Sequence, residues 1–479
     1  MSDAFAGLEP AGFWRQFEAL TRIPRPSHEE AQAIAHVAAW AAGHGFATRR
    51  DGTGNLVVEV PATPGREPAP SVVLQGHLDM VCERDPDSPY DPREGRIRIV
   101  RDGEWVHADG TTLGADNGVA IAAMMALADD PDAPHGPLEL LMTVAEEVGL
   151  AGAAGLDPGL IRGEVLLNLD SEEDATITVG CSGGLDTIAR LHAPREPAGP
   201  DEVALRVAVS GGRGGHSAGD IASGRANAIK VLARALAGTP GIRIASFDGG
   251  ASRNAIPREA AATILAPGES ARADIEAAAA QAVRGYARTD PGLGVTVERV
   301  PAPRDAWTAE ASARILDLVA ALPSGPLGMS ADFPGVVETS SSIGIAATRD
   351  GRLALHSLSR SANDDLLPEV TQAIAAAARL AGAEVEAEHP YPGWRPDLES
   401  PVLATARAVH ERLFGVPPHV TLTHGGLETA IIGARKPGLD MIAIGPWIEG
   451  PHAPGERLHI GSAQRFMRFL AALVDELSG

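Results

Sequence analysis

The chain has 479 residues, 44% of them hydrophobic, and a formal net charge of −23. That length exceeds what one core usually holds, so two domains are the default expectation. Acidity without clustered Lys/Arg excludes a nucleic-acid or phosphoinositide partner, because nothing offers the cations that phosphate neutralisation requires.

Cys82 and Cys181 are the only cysteines, too few for a disulfide framework and suited to a reducing compartment. No apolar run approaches the roughly 20 residues of a membrane span. The opening MSDAFAGLEP lacks the basic and apolar regions of a secretory signal. The expectation is a cytoplasmic protein with no membrane partner.

In chain order, a first amphipathic helix is followed by Ser27 and Glu30, whose S-x-x-E spacing predicts a capping box opening a second helix to about Gly45. NLVVEV and SVVLQGH read as strands. The second reads as a buried parallel strand that delivers Gly76-His77-Leu78-Asp79 at its carboxyl end. Thr111 to Asp130 carries a Gly-rich start and an apolar helical stretch, Val119 to Ala128, with Asp116 near the helix N-terminus. Leu138 to Val144 is a strand ending at Glu146-Glu147, and Val165 to Leu169 another ending at Asp170.

This alternation predicts an α/β fold. A three-layer α/β/α catalytic domain with a mixed, largely parallel sheet would carry its chemistry along one edge, where strand carboxyl ends form the ligand crevice. From residue 186 to 396 the pattern changes to an α+β module in two halves. It is flanked by APREPAGPDE and PYPGWRPDLES, which have the Pro/Gly/charged composition of boundaries. The domains expected are therefore 1–185 and 397–479, forming the catalytic domain, with 186–396 inserted as a lid. The last segment contains the strand-like Met441 to Ile444, then His452 in a PHAP motif, and a helix from about Ala463 to Leu477.

Two adjacent carboxylates, Glu146 and Glu147, need a cation or a shared proton. Around them GHLDM, TTLGADNG, NLDSEE and PHAP supply two histidines and several carboxylates in loops where apolar runs end. That is a ligand list for two divalent ions. Imidazole with carboxylate suits zinc, and also manganese or cobalt, whereas calcium rarely recruits two histidines.

Taken together, HLDM, LGADNG, EE, DSEE, GGHS and the late PHAP resemble the dinuclear zinc aminopeptidase and dipeptidase family, and most of all the aminoacyl-histidine dipeptidases. Each motif alone is weak. In this order they cover the chain from GNLVVEV to ERLHI.

The resemblance implies cleavage of unblocked dipeptides, β-alanyl-histidine included. His77 and Asp170 would bind one metal, Glu147 and His452 the other, and Asp116 would bridge both, across a cis Asp116-Asn117 bond. Asp79 would accept the His77 imidazole N–H and fix its tautomer. Glu146 would be the general base, taking a proton from a metal-bridging water.

In the inserted module the resemblance makes His216, in GGRGGHSAGD, a donor that polarises the scissile carbonyl and that reaches the partner subunit's metal site in a homodimer with a movable lid. A helix-capping loop is the plainer alternative. Arg253, Asn254 and Arg360 resemble positions that grip substrate polar groups, a guanidinium suiting a dipeptide's free carboxylate, although Arg360 reads equally as an ordinary exposed arginine. His424 and Gly425, in THGGLET, stand in a segment that could contact substrate or simply turn a strand into a helix. A related tripeptidase or N-acyl amino acid deacylase would share the metal site, and a non-catalytic binding module would be expected to have lost Glu146 or a ligand.

Overall fold

The computed structural model describes residues 3–479. The chain divides into two compact units. One comprises Met1–Gly180, Pro396–Leu422 and Leu427–Gly479, the other Cys181–Arg395 and Thr423–Gly426.

The first unit is built on an eight-stranded sheet in the order Ala47–Arg50, Leu56–Val60, Leu138–Thr143, Val72–His77, Val165–Asn168, Asp440–Ala443, Thr176–Cys181, His419–Thr423. Its centre is parallel: Val72–His77 pairs in parallel with both Leu138–Thr143 and Val165–Asn168, which pairs likewise with Asp440–Ala443. Ala47–Arg50 with Leu56–Val60, Leu56–Val60 with Leu138–Thr143, and Asp440–Ala443 with Thr176–Cys181 pair antiparallel. This is the mixed α/β architecture that the alternation predicts.

Every residue of the strands Val72–His77 and Leu138–Thr143 is buried, as strands covered on both faces must be. The helix Ala115–Asp129 is buried continuously from Ala115 to Leu127, which its apolar, Ala-rich sequence permits on every side.

Register decides where the chemistry falls. Val72 lies opposite both Leu138 and Val165, His77 opposite Thr143, and Gln75 opposite Asn168. The strands therefore finish together, and the residues that follow them emerge along one edge. A four-stranded sheet of Ile448–Glu449, Arg457–His459, Trp105–Ala108 and Ile99–Asp102 lies beside the turn that carries His452 in the sequence. Helix Ile460–Glu476 follows it.

The capping box does not form. Helix Ala31–His44 begins at Glu30 with no side-chain cap, after a turn in which His28 has φ of 69°. Ser27 Oγ donates to Asp79 Oδ2 at 2.7 Å, and Glu30 Oε1 accepts from the N–H groups of His28 and Ala145, both at 2.9 Å. Both side chains are drawn to long-range partners on the sheet edge, which a local spacing rule cannot see.

In the second unit a nine-stranded sheet runs Gly294–Arg299, Val203–Ser210, Ala260–Ala266, Arg243–Gly249, Val337–Arg349, Arg352–Ser361, Gly183–His192, Glu384–Tyr391, with Gly325–Met329 also beside Val337–Arg349. Its helices, among them Ala228–Ala237, Ser270–Arg284, Ala309–Ala321 and Leu367–Ala381, contribute Leu232, Ile275, Ile315 and Ile374 to one core with sheet residues such as Val207, Ile264 and Leu355. The two halves share one sheet, meeting where Gly249 pairs with Ala346.

Gly183–His192 pairs with Arg352–Ser361 over its whole length. That ladder draws the start of this unit back to Cys181, ahead of the residue 186 expected. APREPAGPDE is consequently interior to it, with Arg195–Pro197 paired to Asp305–Trp307. Among the described residues no helix is long and apolar enough to cross a membrane.

Candidate metal centre

His77 ends a central strand and is 1% exposed. Its Nε2 lies 2.9 Å from Asp116 Oδ1 and 3.6 Å from Asp170 Oδ1. The other oxygen of Asp116, Oδ2, is 3.0 Å from His452 Nε2, which is also 2.9 Å from Glu147 Oε2. Asp116 thus stands between two imidazoles with one oxygen toward each, Asp170 flanking the first and Glu147 the second. His77, Asp116 and Asp170 offer ligand atoms within 4.8 Å of one another, as do Asp116, Glu147 and His452.

Donor atoms held about 2.1 Å from a tetrahedral zinc are roughly 3.4 Å apart. Separations of 2.9–3.6 Å bracket that value. Glu147 Oε1 is buried without a hydrogen-bond partner, an arrangement that a cation would relieve. The residues therefore fit two divalent ions sharing Asp116. The Asp116-Asn117 peptide bond is cis, as the resemblance implied.

Asp79 connects the ligands. It is fully buried, with Oδ1 accepting the N–H of Glu146 at 3.0 Å, and Oδ2 accepting that of Glu147 at 3.2 Å and the Ser27 hydroxyl. His77 Nδ1 lies 3.1 Å from Asp79 O and 3.4 Å from Asp79 Oδ1, which places a proton on Nδ1 and would leave Nε2, toward Asp116 and Asp170, to a bound ion.

Asn117 ties two strand ends together, accepting the His77 N–H at Oδ1 and donating to Leu169 O. Gly76 is required by that approach, since a Cβ there would lie 2.3 Å from Asn117 Oδ1. Beneath the ligands, Glu428 Oε2 accepts from Gln75 Nε2 and Thr143 Oγ1, each at 2.6 Å, and Asn168 Nδ2 donates to Gln75 Oε1 at 2.7 Å.

Burial, reinforced by the neighbouring Glu428, Glu147 and Asp116, pushes Glu146 up to about 8 against the attraction of His77. Asp170 is raised by burial in the same way. Hydrogen bonds to Asp116 and Glu147 raise His452 to about 11. Against the upward push of burial, hydrogen bonds from His77 and Ser27 hold Asp79 at about 2. The edge therefore concentrates negative charge around Glu146, a charge that bound cations would offset.

The second unit gathers another set. His216 is exposed, on a two-residue strand paired with Ala255–Ile256. Its N–H donates to Asp220 Oδ2 at 2.9 Å, and its Nδ1 accepts from Ala218 N–H at 3.3 Å, so in the neutral ring the proton sits on Nε2.

Ser217, next in the chain, donates its N–H to Asn254 O at 2.7 Å, and its hydroxyl lies 3.4 Å from Arg360 Nε. Arg360 is 5% exposed, its Nη1 donating to Tyr391 Oη at 2.7 Å. This excludes the reading of Arg360 as an ordinary exposed arginine.

Arg253 is exposed and paired with Asp186, and the Asn254 side chain accepts from Ser252 Oγ. His424 is buried, with Ser182 Oγ at Nδ1 (2.9 Å) and Ser340 Oγ at Nε2 (2.7 Å), while Gly425 O accepts from Ser182 N–H. With both ring nitrogens engaged, His424 anchors the segment Thr423–Gly426 within this unit.

Sequence reasoning passed over Gln75, Arg25 and Glu456, read Ser27 and Glu30 only as a helix cap, and placed Glu428 in the THGGLET turn without its buried partners. Of the first three, only Gln75, a lone amide in an apolar run, and Arg25, between two prolines, carried any local signal.

The family model described as peptidase family M20/M25/M40 matches residues 73–476. The cytosol non-specific dipeptidase of Escherichia coli (strain K12) is 38% identical over 478 residues, 98% of each chain. Among solved structures, the aminoacylhistidine dipeptidase of Vibrio alginolyticus superposes with a TM-score of 0.87 at 35% identity, covering 98% of this chain and 97% of that one. Aminopeptidase PepT of Bacillus cereus, at 18% identity, TM-score 0.58 and coverage of 98% and 100%, shares the fold. With two histidines and three carboxylates converging where the matched motifs fall, the chain belongs to peptidase family M20/M25/M40.

Proposed function

We propose that this protein is a cytoplasmic metal-dependent dipeptidase that hydrolyses the peptide bond of unblocked dipeptides, Xaa-His and β-alanyl-histidine among them. One observation carries the reading: the two oxygens of Asp116 face two different histidines, each flanked by a further carboxylate. The near full-length likeness to two proteins described as dipeptidases supports the substrate class.

His77 and Asp170 would hold one ion, Glu147 and His452 the other, and Asp116 both. Two divalent ions, zinc or else manganese or cobalt, would when bound polarise the scissile carbonyl and acidify the attacking water.

Asp79 keeps His77 in the Nδ1–H tautomer and holds the backbone of Glu146 and Glu147. Glu146 takes the proton from the water and returns it to the leaving amine. His216, with its proton on Nε2, donates to the developing oxyanion. Arg253, Asn254, Arg360, His424 and Gly425 form the substrate-binding group, Arg360 and Asn254 by fixing the turn at His216. The family resemblance further supports a homodimer in which His216 serves the partner's site.

The test is a panel of β-alanyl-histidine, other Xaa-His and non-His dipeptides, Gly-Gly-Gly and an N-acetyl amino acid, each with added zinc or manganese. Dipeptides should be cleaved fastest. Preference for the tripeptide or the acetylated substrate would overturn the assignment, and equal rates on His and non-His dipeptides would remove the histidine preference.

A further inference from the structure

We propose that Glu456 and Arg25 are positioning residues that brace the segment Leu113–Asp116 from two sides, Glu456 setting the His452 half of the metal centre and Arg25 the His77 half. The inference rests on the metal-site reading above.

Glu456 follows His452 by four residues and is 2% exposed. Its Oε2 accepts the N–H groups of Leu113 and Gly114 at 2.7 and 2.9 Å, and its Oε1 those of Ala115 and Asp116 at 2.7 and 3.1 Å. One carboxylate thus takes four consecutive backbone donors where the helix Ala115–Asp129 begins, a place that favours negative charge. Because Asp116 N–H is among them, the backbone of the shared ligand is fastened to the loop that carries His452. Apart from Asp116 and Glu147 at its Nε2, the His452 side chain is 53% exposed, and its φ is 64°.

Arg25 approaches the same segment separately. It is 1% exposed, and its guanidinium donates to Leu78 O and Asp79 O at 2.9 and 2.8 Å and to Gly114 O at 2.6 Å. It therefore links the loop just past His77 to the residue two before Asp116. Gly114, at φ +72°, and Gly118 leave room for it: a Cβ on either would lie 2.5 or 2.8 Å from Arg25 Nη2.

Burying a guanidinium against carbonyl oxygens, with its Nε lacking a partner, costs free energy that an apolar side chain would not. Packing alone does not account for it. Cross-linking two ligand loops does, and a nearby fixed cation also offsets the charge of Asp79, Asp116 and Glu456.

The experiment is titration of the metal-free full-length protein with zinc, by calorimetry and by chelator competition, for the wild type, Glu456→Gln and Arg25→Gln, each alone and combined with His77→Ala or His452→Ala. In Glu456→Gln an amide NH2 must face N–H donors. One equivalent should weaken roughly 10- to 100-fold, the range for groups that orient metal ligands, while the other, which shares only Asp116 with it, weakens less.

The Glu456→Gln effect should persist in the His77→Ala background and vanish with His452→Ala, and Arg25→Gln should show the reverse. Glu456→Asp, which keeps the charge and so part of the clamp, should recover part of the affinity. Equal weakening of both equivalents, in step with the unfolding midpoint of the metal-free variants, would reduce the brace to general stability and overturn the proposal, as would unchanged affinities. Wild-type protein that binds fewer than two equivalents would overturn the metal-site reading, and the inference with it.

Discussion

The polar residues of the first unit and those around His216 in the second are held in different ways. On the sheet edge the candidate ligands His77, Glu147 and Asp116 are held by buried carboxylates, Asp79 meeting His77, Ser27 and the N–H groups of Glu146 and Glu147, and Glu456 taking the N–H of Asp116. His216 is exposed and rests on its own turn, through Asp220 and Ala218, with Asn254 and Arg360 gripping Ser217 beside it. A cation site needs several donors fixed against mutual repulsion, which only long-range bracing supplies. A single hydrogen-bond donor needs no more than a defined tautomer and a firm neighbour.

Substitutions can break this contrast, the largest effect being expected at Glu146. Glu146→Ala should retain two metal equivalents and the fold while kcat falls roughly 10²- to 10⁴-fold, the usual worth of a positioned base. Steady-state kinetics with metal analysis checks this, and near-wild-type turnover would exclude Glu146 as the base. His216→Ala should lower kcat about 10²- to 10³-fold, as loss of an oxyanion donor does, with metal content unchanged. Mixing it with a metal-site variant should restore activity if the histidine acts across a dimer, and no recovery would place its action within one chain.

Asp79→Ala should weaken metal binding roughly 10- to 100-fold, because His77 loses its tautomer partner and the Glu146 and Glu147 N–H groups lose their acceptor. Unaltered affinity in chelator competition would show that the strand end alone orients His77.

The smallest effect at neutral pH is expected at His424. Burial lowers its pKa from 6.5 to about 4, so on acidification the unfolded chain takes up the proton first. The contribution to stability is complete above pH 6.5 and is lost as pH falls through about 4, some 3 kcal/mol in all. Urea unfolding across that range should show a shallower acid slope for His424→Gln, and an identical slope would rule the histidine out as its source.

What the sequence determined was whatever depends on near neighbours. Apolar runs such as VVL and LELLM mark buried strands, and His77, Glu147 and Asp170 could be placed at the carboxyl ends of such runs without knowing their partners. Composition likewise marked a second module and its exit near PYPGWRP.

The tertiary structure alone decided which side chains meet across the chain. Ser27 and Glu30 have the spacing of a cap yet serve Asp79 and Ala145. Gly183–His192 joins the second sheet because a whole ladder along Arg352–Ser361 outweighs the loop-like composition of the linker that follows it. Arg25 and Glu456 are separated in the chain by most of its length and meet only at Leu113–Asp116. A buried polar group is stabilised by whichever partner the fold brings within about 3 Å, and local sequence carries no record of a partner hundreds of residues away.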